Sequence, residues 1–201
     1  MPARAALRAL VLDVDGVLTD GRVIVGEAGH EMKDLGYRDI DAVFQARRDG
    51  FAVALVTGEE TAIVDVIART LAVELVIRGA KDKAAALRTV AARLGLSLEA
   101  ICYVGDADRD APALEIAGLG LAPADGSPRA RQAAHAVLAS RGGYGAVAEA
   151  LEAVRARNAT RATALMPPDD ALKRVTEALE ESIAVKRAVI DTLAAEIATA
   201  A

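Results

Sequence analysis

Asp13 and Asp15 stand one residue apart where the apolar run Leu10-Val11-Leu12 meets a glycine-containing stretch, Asp13-Val14-Asp15-Gly16-Val17-Leu18-Thr19-Asp20-Gly21. Two carboxylates at the end of a buried strand are costly unless a cation neutralises them, because unpaired buried charge is strongly disfavoured. Magnesium suits such an all-oxygen donor pair. The spacing also sets one carboxylate where it can attack and the next where it can move a proton. Three further motifs follow along the chain. Val56-Thr57-Gly58 offers a hydroxyl and backbone N–H groups ahead of a helix, a cradle for phosphate. Lys83, at the start of a helix, is a compact cation matched to phosphate oxygens. Gly105-Asp106-Ala107-Asp108-Arg109-Asp110 brings carboxylates able to complete a metal site begun by the first pair.

These motifs need a scaffold that carries them to one place. Strand-length apolar runs at 7–14, 52–57, 74–78 and 101–105 alternate with helical patterns at 40–48, 61–71 and 83–94. Gly95 reads as the C-cap of the last helix. Two shorter strands are expected at 119–122 and 136–138. Near-continuous hydrophobicity predicts parallel strands covered on both faces. The alternation predicts a three-layer, Rossmann-like α/β domain with a central parallel sheet and right-handed crossovers. Each motif then falls at the carboxyl end of a strand, where open α/β sheets hold their ligands. Arg22 to Met32 breaks the alternation and reads as an inserted β-hairpin with Gly26 and Gly29 at its tip. Placed after the first strand, it can line the site or pair with a neighbouring subunit.

Composition narrows the classes. Apolar residues make up 53% of the 201 and aromatics only 2%, so Ala, Val, Leu and Ile must build the core. A formal charge of −5 argues against a nucleic-acid partner. Cys102 is the only cysteine, which excludes an internal disulfide and reads as a buried strand residue in a reducing compartment. No run approaches the ~18 apolar residues of a membrane span, and Met1 to Arg8 lacks an apolar leader core, so a soluble cytoplasmic protein is expected. His30, His135, Asp108 and Lys81 read as solvated surface groups. Residues 1–157 are expected to form the α/β domain, 158–169 a linker containing Pro167-Pro168, and 170–201 an amphipathic helix. Asp169 or Asp170 is its expected N-cap. Its seam is Leu172, Leu179, Ile183, Ile190, Leu193 and Ile197, interrupted by Thr176 and Lys186.

Taken in order and at these spacings, D-x-D-G-V, T-G, Lys and G-D-x-x-x-D resemble the haloacid dehalogenase superfamily of magnesium-dependent phosphatases, over roughly residues 7–150. The stretch 13–21, the hairpin, Lys33 through Arg38-Asp39, Arg78-Gly79 to Lys83, Ala122-Pro123-Ala124-Asp125 and Gly142-Gly143-Tyr144-Gly145-Ala146-Val147 carry a closer likeness. They resemble a capless subfamily, the 3-deoxy-manno-octulosonate 8-phosphate phosphatases and related sialic-type sugar phosphatases. That resemblance implies a homotetramer with hairpins paired at its centre and a neighbouring subunit closing the site. It implies Asp13 as the nucleophile, giving an aspartyl-phosphate, and Asp15 as the acid and base. Magnesium would be held by the Asp13 carboxylate, the Asp15 backbone carbonyl and Asp106. Thr57, the Gly58 N–H and Lys83 would balance charge on the phosphoryl oxygens, and Asp110 would orient the fourth loop or Lys83. The expected substrate is a small sugar phosphate of ulosonate or heptose type.

Three departures concern the substrate. The subfamily pattern T-G-R-x-S is Thr57-Gly58-Glu59-Glu60-Thr61 here, the second of two adjacent aspartates is Ala107, and R-D-G-x-G is Arg38-Asp39-Ile40-Asp41-Ala42. Glu59 would repel the carboxylate of an α-keto acid, which favours a neutral sugar phosphate. The segment Leu179 to Lys186 is similar to the N-terminal helix of sedoheptulose 7-phosphate isomerases, which points toward heptose phosphates. The alternative is a catalytically weakened domain serving oligomerisation or regulation in a sugar-nucleotide pathway enzyme, as in similar domains appended to cytidylyltransferases.

Overall fold

The computed structural model describes residues 5–164, 173, 176–188 and 190–191. Strand β1 (Ala9–Leu12) is buried on both faces and lies at the centre of a six-stranded sheet. Its alternate residues feed two cores. Leu10 and Leu12 join one cluster with Val43 of α1 (Tyr37–Arg48), Ile67 of α2 (Ala62–Thr70) and Leu151 of α6 (Ala146–Ala164). Ala9 and Val11 join the other with Leu87 of α3 (Lys83–Leu94), Leu114 of α4 (Ala111–Ile116) and Ala130 of α5 (Pro128–Ala133). Helices on both faces make this the expected three-layer α/β arrangement.

The remaining sheet strands are β4 (Ala52–Val56), β5 (Leu75–Ile77), β6 (Ile101–Val104), β7 (Leu119–Ala122) and β8 (Ala136–Val137). The order is β5-β4-β1-β6-β7-β8, and every pairing within it is parallel. The chain therefore winds outward from β1 through β4 and β5, then returns to β6 on the other side. That reversal opens a crevice at the carboxyl ends of β1, β4 and β6. A separate hairpin pairs β2 (Ile24–Val25) with β3 (Glu31–Met32) antiparallel, and Gly29 N–H closes its tip on Gly26 O. Val23, Ile24, Val25 and Met32 on this hairpin are exposed.

Helix α3 has the expected bounds because both ends carry strong local signals. The Asp82 side chain accepts the Ala85 N–H, and Gly95 supplies the left-handed C-cap at φ 63°. Helices α4, α5 and α6 do not appear in the sequence expectation. In α6 the buried Val147, Ala150, Leu151 and Val154 recur at helical spacing within an alanine-rich run of low contrast. This helix runs on to Ala164, so the first part of the expected linker is helical. Asn158 explains its beginning: its amide donates to Leu7 O and accepts the Leu7 N–H, clamping α6 to the chain entering β1. The chain divides into two compact units, Met1–Asn158 and Ala159–Ala201. In the second, residues 176–188 are helical, with Leu179, Ile183 and Val185 exposed. The expected N-cap at Asp169 or Asp170 and the rest of the linker lie outside the described residues. Among the described residues, no helix is long and apolar enough to cross a membrane.

Asp39 carries more of this architecture than its place in a surface helix implies. Buried at the start of α1, its carboxylate accepts the N–H groups of Gly145, Val147 and Ala148 at 2.8, 2.9 and 3.1 Å. It caps α6 from another element, satisfying donors that the first helical turn leaves unpaired. Asp39→Ala is expected to lower stability by roughly 2–3 kcal/mol, read as a lower urea midpoint at unchanged slope.

Candidate active site

The site begins with a ladder that continues one residue past the strand. Asp13 N–H donates to Val104 O at 3.0 Å, which holds the first carboxylate at the mouth of the crevice. Its Oδ1 accepts the Val14 N–H at 2.7 Å and faces Lys83 Nζ at 2.8 Å. Lys83 opens α3 and is only 3% exposed; it also donates to Val56 O at 2.9 Å and lies 3.4 Å from Asp110 Oδ1. Asp110 is fully buried at the N-cap of α4. Its Oδ1 accepts the Tyr103 hydroxyl at 2.5 Å and its Oδ2 the Ala107 N–H at 2.9 Å, which folds the fourth loop onto itself.

Asp106 completes the cluster from the end of β6. Gly16, at φ 80°, leaves the space it needs: a Cβ there would sit 2.1 Å from Asp106 Oδ2. Gly142 packs equally close on the same turn, its missing Cβ 2.0 Å from Gly16 O. Asp125 Oδ1 holds that second glycine by accepting its N–H at 3.0 Å. Across the crevice, Thr57 Oγ1 accepts the Glu59 N–H at 3.1 Å, which shapes the turn after β4. Lys81 is exposed as expected, and it donates to Gly58 O at 2.9 Å. His30 and His135 are exposed as expected.

Asp13, Asp15, Thr57, Gly58, Lys83, Asp106 and Asp110 thus line one cavity of about 230 Å³, with Glu59 and Ala107 beside them. A larger groove of about 690 Å³ lies between the hairpin and α2, but its lining is mainly apolar and none of these carboxylates reaches it. Two polar groups at the site escape the sequence expectation. Lys33 Nζ donates to Asp15 Oδ1 at 2.6 Å, and Tyr103 caps Asp110. Lys33 belongs to the stretch through Arg38-Asp39 that carries the family likeness, and that likeness is the signal that singles it out.

Charge in this cavity does not balance. Oxygens of Asp13, Asp106 and Asp110 lie within 4.8 Å of one another, and the Lys83 ammonium faces two of them. Burial and then the Asp110 carboxylate push Asp13 up to about 8, against the pull of Lys83 and the Val14 N–H. Burial and Asp110 likewise push Asp106 up to about 7. Asp106 Oδ1 is buried with no hydrogen-bond partner. A hard divalent cation fits this donor set, since it would neutralise the surplus and give the orphaned oxygen a partner.

This sheet order and these loops define a haloacid dehalogenase-like hydrolase, and the family model of that description matches residues 72–151. The chain is 33% identical over 150 residues to the 3-deoxy-D-manno-octulosonate 8-phosphate phosphatase KdsC of Yersinia pestis, covering 75% of this chain and 80% of that protein. It is 36% identical over 143 residues to KdsC of Escherichia coli strain K12, covering 71% and 76%. The crystal structure of the Moraxella catarrhalis phosphatase, in complex with magnesium, phosphate and the sugar acid KDO, superposes with a TM-score of 0.74 at 30% identity, covering 79% of this chain and 91% of that one. The chain belongs to the KdsC-like family of haloacid dehalogenase phosphatases, which are phosphoric monoester hydrolases.

The raised carboxylates carry a pH signature. Between the unfolded value of 3.8 and the folded values near 8 and 7, the native state keeps protons that the unfolded chain has released. Stability from Asp13 and Asp106 is therefore present below about pH 4 and lost as pH rises through the folded values. In the presence of a chelator, the urea midpoint is expected to fall between about pH 5 and pH 8, by the equivalent of roughly 1–3 kcal/mol. Asp106→Asn should flatten the fall, and a midpoint that climbs over this window contradicts the assignment.

Proposed function

We propose that the protein is a magnesium-dependent phosphatase of small sugar phosphates that works through an aspartyl-phosphate on Asp13. The buried, partnerless Asp106 oxygen inside the three-carboxylate cluster carries this reading. Asp13 Oδ1 is occupied by Lys83 and the Val14 N–H, which leaves Oδ2 to attack phosphorus. Asp15 protonates the departing sugar oxygen and then takes a proton from the water that opens the aspartyl-phosphate. Thr57, Gly58 and Lys83 balance the charge of the phosphoryl group in flight. Asp13, Asp106 and the Asp15 backbone carbonyl would hold the magnesium, with Asp110 orienting Lys83 and the loop. The ion supplies the positive charge that lets an anionic carboxylate approach an anionic phosphate.

Glu59, exposed on the cavity rim, bears on the sugar. A glutamate there repels the carboxylate of a keto-acid sugar, so a neutral heptose-type phosphate is the favoured substrate over the ulosonate phosphate of the named relatives. The exposed apolar residues of the hairpin support a homotetramer joined through it, and the single buried cysteine supports a cytoplasmic setting.

Steady-state assays of the purified protein with magnesium, against heptose phosphates and 3-deoxy-manno-octulosonate 8-phosphate, test this directly. Chelation is expected to abolish turnover, and Asp13→Asn to lower it by at least about 10³-fold. Glu59→Arg should shift kcat/KM toward the keto-acid sugar by about tenfold or more. Wild-type preference for the keto acid rejects the neutral-sugar assignment. Ordered oligomers without any magnesium-dependent turnover would favour the non-catalytic module instead.

A further inference from the structure

We propose that Lys33 is a positioning residue that presents the proton-carrying oxygen of Asp15 to the leaving group, a role that rests on the phosphatase reading above. The Lys33 side chain is only 5% exposed, while Asp15 remains 33% exposed at the cavity. Its ammonium lies 2.6 Å from Asp15 Oδ1, the one acceptor described for it. A buried ammonium is strongly disfavoured unless an acceptor meets it, and Asp15 Oδ1 can accept from Lys33 whether or not Oδ2 carries a proton. Lys33 is one of the residues that line the groove between the hairpin and α2, with Met32, Leu35 and Ile63. A largely buried aliphatic stem whose ammonium meets Asp15 Oδ1 keeps that charge in place.

The two members of the D-x-D pair are restrained differently. Asp13 is held by Lys83 and by the Val14 N–H, whereas Lys33 is the one described partner of the Asp15 carboxylate. Two side-chain torsions therefore depend on a single ammonium. With Oδ1 taken, Oδ2 is the oxygen that exchanges the proton. In the first step the bond from Asp13 Oδ2 to phosphorus forms, the bond from phosphorus to the sugar oxygen breaks, and the proton on Asp15 Oδ2 passes to that oxygen. Proton donation of this kind falls steeply when donor and acceptor are misplaced, while a leaving group that departs as a stable anion barely needs it.

That contrast supplies the test. Lys33→Met keeps the stem and removes the charge. Its kcat/KM, which reads the steps through phosphoryl transfer, is compared on 4-nitrophenyl phosphate, phenyl phosphate and benzyl phosphate with magnesium present. The expected loss grows as the leaving group becomes poorer, from less than about threefold on 4-nitrophenyl phosphate to more than about tenfold on benzyl phosphate. Lys33→Arg should recover most of the benzyl phosphate rate. Lys33→Gln, which keeps a donor, repeats the comparison where Lys33→Met fails to fold, and should show the same order with smaller losses. Equal losses on all three substrates, or none, overturn the positioning role while the phosphatase reading stands. A wild type inactive on every substrate overturns both.

Discussion

An excess of negative charge at the carboxyl ends of two neighbouring strands organises this molecule. Parallel pairing of β1 with β6 sets Leu12 opposite Val104, so Asp13, the next residue, and Asp106, two residues on, converge. Asp110 adds a third carboxylate from the N-cap of α4, and Lys83 returns one positive charge. Burial makes that imbalance expensive, as the raised Asp13 and Asp106 record. An apolar sheet centre covered on both faces is what lets the fold tolerate it. The same imbalance is what would make a divalent cation bind.

Long-range backbone caps hold the loops around that charge. Asp39 reaches from α1 to the start of α6, and Asp125 holds Gly142 against the Gly16 turn. Asn158 ties the far side of α6 to the chain entering β1. Each of these polar side chains satisfies main-chain groups that would otherwise lie unpaired. Gly142, held by Asp125, packs on the turn after β1, while Gly16 yields its own side-chain space to Asp106. The site is thus built as much from acceptors aimed at N–H groups as from the groups that would do chemistry.

That division explains what could be seen in the chain beforehand. Strand runs, the Gly95 cap of α3 and the four motifs are local signals, and the structure has them where periodicity and capping place them. Asp39 belonged to a motif associated with substrate, yet its partners lie more than 100 residues away, at |i−j| of 106 to 109. No local pattern encodes such a contact. Asn158 looked like the start of a linker for the same reason, its partner Leu7 being at the opposite end of the domain. Lys33 carried no mark of burial, because a lysine after an exposed hairpin strand is ordinarily solvated.

The two classes of site residue also differ in how the fold holds them. Asp13, Lys83 and Asp110 are buried and cross-linked, so altering any one leaves a charge without its partner. Glu59 is exposed, and its loop is secured through main-chain atoms: Gly79 N–H donates to Glu59 O and Lys81 to Gly58 O. Its side chain can change sign without disturbing those bonds. A reversal of charge on the rim is therefore compatible with an intact acidic cluster behind it. A substrate different from that of the named relatives needs no loss of phosphoryl-transfer chemistry.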